Sequence, residues 1–286
     1  MGTSRDYGGG PKWAGVKSAV TRTSGAGHLT PSKAATVVNP FVHQLAGAGG
    51  LGSTGVAPGG SRVAVGAGGG RGAGGHAKRG GRGGGGSGGG GARGRRGAGR
   101  YAVGSGAAGA AQAIGAFVTD VRERGLREAL RGLGLDSCDD KTPAEIANFL
   151  ADALGGPAST IDAVALRAAL CEVIQNLVED AQDLPGVEDN INAAADRVEE
   201  IIRELFGCYI VERFATIITA PVDTKQGVQV TDAYLGEVRA YVDARLQLLD
   251  LDRPLSSLDW RGAEGAAAVD DVLTRTQEVF SAGDED

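Results

Sequence analysis

The chain has 286 residues, 50 of them glycine, and its net charge of −6 conceals two opposed segments. Residues 1–100 hold 14 Lys/Arg against the single acid Asp6, a net of +13, whereas residues 101–286 hold 15 Lys/Arg against 34 Asp/Glu, a net of −19. The three widely spaced cysteines give neither a disulfide framework nor a zinc-ligand spacing, and His28, His43 and His76 all precede residue 100, which leaves the rest without the commonest general base.

Residues 1–65 read as a disordered arm. Pro11, Pro31, Pro40 and Pro58 interrupt any period, and large apolar residues are too few to offset the entropy of ordering. Two islands stand out as docking motifs: Trp13, and Val37 to Leu45, in which Asn39 would cap and Pro40 open a short helix. At the start, a small residue after Met1 favours methionine removal and leaves the amine of Gly2. With a pKa near ~7.8 that amine is neutral in far larger proportion than a lysine near ~10.4, so it is a usable nucleophile.

Residues 66–100 form a Gly/Arg-rich tract that reads as a flexible coil, with Arg82, Arg93, Arg95 and Arg96 as candidate phosphate contacts. It holds no aromatic residue on which bases could stack, so any nucleic-acid contact there is non-specific.

Residues 101–286 read as an acidic all-α domain of about six or seven helices. Apolar periodicity runs from Gly106 to about Arg131, weakened by Gly109, Gly115 and Gly125. Thr142-Pro143-Ala144-Glu145 is a capping-box start, and Gly155-Gly156-Pro157 stops that helix after Leu154. Further helices are expected from Ser159 or Thr160 to about Asp183, Glu188 to Phe206, Thr231 to Leu249 and Gly262 to Phe280. The segment Cys208 to Thr219 reads as buried beyond a break at Gly207, and Gly227 to Val230 is the one strand candidate.

No nucleophile elbow, phosphate-loop lysine signature or paired metal-ligand motif occurs, so neither catalysis nor a metal or cofactor is expected. The pairs Asp139-Asp140, Glu179-Asp180 and Glu199-Glu200 read as solvated helix faces, because adjacent acids on a helix point in different directions. Cys138, Cys171 and Cys208 read as reduced core residues. The first residues lack a signal-peptide pattern and Tyr101 to Thr119 falls at the short limit for a span, so a cytoplasmic location without membrane contact is expected.

The opening Met1-Gly2-Thr3-Ser4, followed by Tyr7-Gly8-Gly9-Gly10-Pro11 and Trp13, resembles the start of the QatB family, the B component of bacterial Qat antiphage systems. The segments Lys141 to Ile146 and Gly155 to Asp162 are similar to that family as well. The resemblance implies a non-catalytic member of an operon that also encodes a QatA-like ATPase, a QueC-like enzyme and a TatD-like nuclease. The QueC-like enzyme would activate a 7-deazaguanine-type carboxylate with ATP and pass it to an amine. Carried over, Gly2 is the acceptor, and Thr3 and Ser4 are read by the modifying enzyme. Arg5-Asp6 departs from the small polar residues of the pattern, and Asp6 also stands where N-myristoylation wants Ser or Thr.

Overall fold

The computed structural model describes residues 13–24, 29–47, 106–156, 161–251 and 254–281. Among them are ten α-helices and no strand: α1 (Ala14–Ser24), α2 (Pro31–Gly47), α3 (Gly106–Arg124), α4 (Leu126–Leu133), α5 (Pro143–Gly155), α6 (Ile161–Leu177), α7 (Leu184–Ala195), α8 (Val198–Gln226), α9 (Val228–Leu246) and α10 (Ala263–Ser281). The all-α class stands, with more helices than the six or seven expected.

Three differences account for the number. Within residues 1–65 the chain forms α1 and α2, whose Trp13, Val16, Val20, Val37, Val38, Phe41, Val42 and Leu45 are buried in the same core as the later helices. Asn39 and Pro40 do not open the second of these, which already begins at Pro31. Pro40 removes the hydrogen bond to the Thr36 carbonyl, but Pro40 and Thr36 are both exposed, so water can satisfy that oxygen. The third difference lies at Gly125, where φ is +84° and the helical run splits into α3 and α4. A side chain at that φ would be strained, so glycine sets the break.

Several expected boundaries move. The helix expected to run to about Asp183 ends at Leu177, and the one expected from Glu188 to Phe206 begins at Leu184 and is interrupted between Ala195 and Val198. The chain stays helical through Gly207, which allows Asp243 Oδ1 and Leu246 Cδ1 of α9 to approach within 3.2 Å of where a Cβ would stand. Gly227 to Val230 is no strand: Gly227, at φ +89°, is the hinge between α8 and α9, and Val228 opens α9. Thr231, Tyr234, Val238, Val242 and Leu246 continue α9 at helical spacing on its buried side.

Two helices form the centre. From Ala107 to Val118 every residue of α3 is buried, and the Ala/Gly composition lets α4, α7 and α10 lie close around it. The other is α8, antiparallel to α6, since Asp162 meets Arg213 at one end and Asn176 meets Glu204 at the other. Its stretch Val198–Thr224 is long and apolar enough to cross a membrane, yet 71% of the most apolar window is buried among neighbouring helices, as for a core helix. At α5 the capping box forms as its sequence dictates: Glu145 N–H donates to Thr142 Oγ1 at 3.2 Å, and Thr142 N–H donates to Glu145 Oε2 at 2.9 Å. The Thr142 N–H bond first, then the Thr142 hydroxyl, which donates to the same carboxylate at 3.1 Å, and then the Lys141 charge hold the Glu145 carboxyl below its ordinary range.

Candidate functional site at the amino-terminal hairpin

Gly2, Thr3 and Ser4, and the arginines Arg82, Arg93, Arg95 and Arg96, lie outside the described residues. The described chain first meets the amino-terminal segment at Trp13. Its ring is 1% exposed and packs on Phe41 of α2 with centroids 5.3 Å apart. Phe41 in turn meets Phe214 of α8 edge-on at 5.1 Å. The Arg213 guanidinium sits over the Trp13 ring, 5.6 Å from its centre.

Arg213 is buried, so its charge needs partners. Its Nε donates to Asp162 on α6, and its Nη1 donates to Thr216 Oγ1 at 2.9 Å. Asp162 keeps 45% of its side chain exposed, so the ion pair opens to solvent beside the start of α1. The guanidinium over the indole face adds a cation–π contact that favours the docked position of Trp13, while Asp162 keeps the buried charge paired.

The rest of the hairpin is tied down by polar contacts across long sequence separations. Thr23 Oγ1 and the Tyr234 hydroxyl are 2.9 Å apart, and the Leu29 N–H donates to Glu237 of α9. The Tyr241 hydroxyl donates to Oδ1 of the fully buried Asn39 at 2.9 Å, and His43 Nε2 lies 3.1 Å from Ser281 Oγ at the end of α10.

A second charged feature joins α6, α8 and α9. Arg239 holds Glu172 with both terminal nitrogens, the Nη2–Oε2 bond being 3.1 Å, and Asn176 donates to Glu204. Burial, reinforced by the Glu172 charge, raises the carboxyls of Glu204 and Glu212; the Asn176 hydrogen bond offsets part of this at Glu204, and the Arg239 cation offsets part of it at both. Asp243 is raised chiefly by burial, against the lowering effect of Arg239 and with a smaller push from Glu172. Cys208 is pushed up to about 12, mainly by burial and next by Glu172, which leaves it an unreactive thiol.

Of the acidic pairs read as solvated helix faces, Asp139-Asp140 and Glu179-Asp180 lie in turns rather than on helices; Asp139 pairs with Arg127 and Glu200 with Arg197 at the surface, and Glu199 pairs with the half-buried Arg203. Among the described residues, no group of three or more His, Cys, Asp or Glu side chains is placed to hold a metal. Sequence reasoning missed Arg213 and Arg239. The available signal is a charged residue inside an apolar run, Arg213 within Cys208 to Thr219, where burial demands a partner.

A family model, described as Qat anti-phage system associated protein QatB, matches residues 94–280, which is more than half of the chain. Neither the curated proteins nor the solved structures compared contain a match. The matched region begins before α3 and ends within α10, so α1 and α2 lie outside it while packing against helices within it.

Proposed function

The chain belongs to the QatB family and so is a component of a Qat antiphage system; on that premise we propose that it acts as a partner-binding protein and as the acceptor of an amino-terminal modification. The observation that carries this reading is the start Met1-Gly2-Thr3-Ser4 on a chain whose remaining two thirds match the family. Once Met1 is removed, the Gly2 amine attacks the ATP-activated carboxyl carbon of a 7-deazaguanine-type acid bound by the QueC-like enzyme. The C–N bond forms, the nucleotide leaving group departs with the activated oxygen, and the amine loses its proton to give a neutral amide. Thr3 and Ser4 are the residues the enzyme reads, and the folded domain serves the ATPase or the nuclease as a dock.

Intact-mass measurement of the chain co-expressed with its neighbouring genes tests this. An adduct on Gly2 that disappears when the QueC-like partner is inactivated supports the acceptor role, and an unmodified wild-type terminus beside an active partner removes it.

A second reading has its own observation. Residues 66–100 carry eight Lys/Arg and no acid, the composition of a polycation that tethers the protein to nucleic acid.

A further inference from the structure

Arg245 of α9 carries a charge that the described residues leave uncompensated. Its Cζ sits 5.8 Å from the centre of the Tyr241 ring, one turn earlier, and its Nε and Nη2 are buried without an acceptor. Those two nitrogens form one edge of the guanidinium, the edge that takes a carboxylate through two parallel bonds. On the same helix Arg239 has such a partner in Glu172, whereas Arg245 takes part in no ion pair among the described residues. Buried N–H donors on an ionised group are costly to leave unpaired, and an aromatic face offsets only part of that cost. Gln44 of α2 has a buried Oε1 that also lacks a donor, but an amide oxygen would leave the guanidinium charge in place. The open edge calls for a carboxylate.

The chain supplies three carboxylates within reach. Tyr241 also meets Phe280 near the end of α10, with ring centroids 6.3 Å apart, and the next residue, Ser281, lies 3.1 Å from His43 of α2. Ala282, Gly283, Asp284, Glu285 and Asp286 follow. Three steps carry the chain at most about 11 Å from Ser281 to Asp284, and five carry it about 18 Å to Asp286, enough to pass Phe280 and return to the Arg245 side of Tyr241. These acids also follow the carboxyl end of a helix, where the partial charge is negative, and the last turn of α10 has no basic residue to offset it. An unneutralised cation and a run of acids thus flank one tyrosine. We propose that the acidic segment Asp284–Asp286 turns back onto α9 as a latch, one of its carboxylates accepting from Nε and Nη2 of Arg245. The latch ties α10 to α9 beside the bonds that seat α2, Tyr241 to Asn39 and His43 to Ser281, so the acidic segment stabilises the amino-terminal hairpin.

Thermal melts of the full chain at low salt test the latch through a double-mutant cycle. Neutralising the acids together, as Asp284→Asn, Glu285→Gln and Asp286→Asn, should lower Tm by about 2–4 °C, the shift expected from losing one such pair in a domain of this size. Arg245→Met keeps an apolar stem on Tyr241 and should lower Tm by a similar amount. The four substitutions combined should cost no more than the three, because Arg245→Met then removes a cation that has already lost its carboxylate. Without the latch Arg245 is an unpaired cation, and Arg245→Met should leave Tm unchanged or raise it. That result overturns the proposal, as does a wild-type Tm in the triple variant or full additivity in the combined one. Inorganic phosphate should leave the wild-type Tm unchanged, since the guanidinium edge is already occupied. A rise in the wild type that Arg245→Met abolishes would show the edge open to anions from solution and overturn the latch.

Discussion

Trp260 lies against the bare backbone of Gly115: a Cβ placed on that glycine would stand 2.4 Å from Cδ2 of the indole. The ring cannot retreat. Its Nε1 donates to the Leu255 carbonyl at 3.1 Å, its backbone carbonyl accepts from Gln112 at 3.1 Å, and Gly265 closes on its Cα from α10. Gly115→Ala therefore gains up to about 1 kcal/mol of helix propensity and loses more through overpacking, for a net destabilisation of about 2 kcal/mol in urea unfolding. The exposed Gly236 of α9 meets nothing within 4 Å, and Gly236→Ala should stabilise by about 0.5–1 kcal/mol. Equal effects of the two substitutions would contradict the close approach of Trp260.

The amino-terminal hairpin is an integral part of the fold, so Trp13→Ala should cost about 3–5 kcal/mol, the range for deleting a fully buried aromatic. A specific protease site introduced within residues 62–92 gives a sharper test. After cleavage, the fragment holding α1 and α2 should co-elute with the remainder in native size exclusion and separate only in denaturant. Loss of the fragment under native conditions would mean that Trp13 and Phe41 do not anchor it.

Glu204 carries a pH signature. Its folded carboxyl is raised by burial, so the folded state holds its proton more tightly than the unfolded chain does. The contribution is fully present below the ordinary carboxylate pKa of 4.5 and is lost as pH rises through the folded value. Glu204→Gln keeps an oxygen to accept from Asn176 and removes the charge. It should raise the Tm at pH 7 and lose that advantage towards pH 4.5, as followed by circular dichroism melts across that window. A variant less stable than wild type at pH 7 would show that the ionised carboxylate stabilises this seam.

The terminus and the core should separate genetically. Gly2→Leu is expected to retain Met1, block the free glycine amine and abolish phage protection in cells carrying the whole operon, with Tm unchanged. Ile202→Asp buries a charge on α8, where Ile202 is fully enclosed, and should cost several kcal/mol and abolish protection through unfolding. Full protection by Gly2→Leu would end the acceptor mechanism.

If the Gly/Arg tract tethers nucleic acid, affinity should fall steeply as salt rises from 50 to 200 mM and vanish on deletion of residues 66–100, since counterion release drives such binding. Titration of labelled DNA by fluorescence anisotropy at several salt concentrations measures this, and salt-insensitive binding rejects it.

What the sequence discloses depends on whether a signal is local. The Thr142–Glu145 capping box and the stop at Gly155 are complete within a few residues, and α5 is readable from them. In α1 and α2 the apolar residues keep helical spacing, but Pro31, Pro40 and the surrounding glycines mask it. Their burial depends on Phe214, Tyr234 and Tyr241, some 200 residues away. Gly207 looks like a break because a glycine in a helix is a local cost, and the compensating approach of α9 is a tertiary fact. For the site, Gly2 stands out through amine chemistry and family resemblance. Arg213 does not, because its meaning lies in an Asp162 and a Trp13 that no spacing rule brings together.

The bonds from Asn39 to Tyr241 and from His43 to Ser281 join the second helix to the last two. A ribosome adds about 5–20 residues per second, so roughly 10–50 s pass between the synthesis of Phe41 and that of Ser281. Until Arg213 and Phe214 are made, Trp13 and Phe41 lack their partners on α8. The nascent hairpin is then a sticky apolar element held close to the ribosome. Completion of the fold waits on the synthesis of α10, which makes the last described helix the element that seals the amino-terminal hairpin.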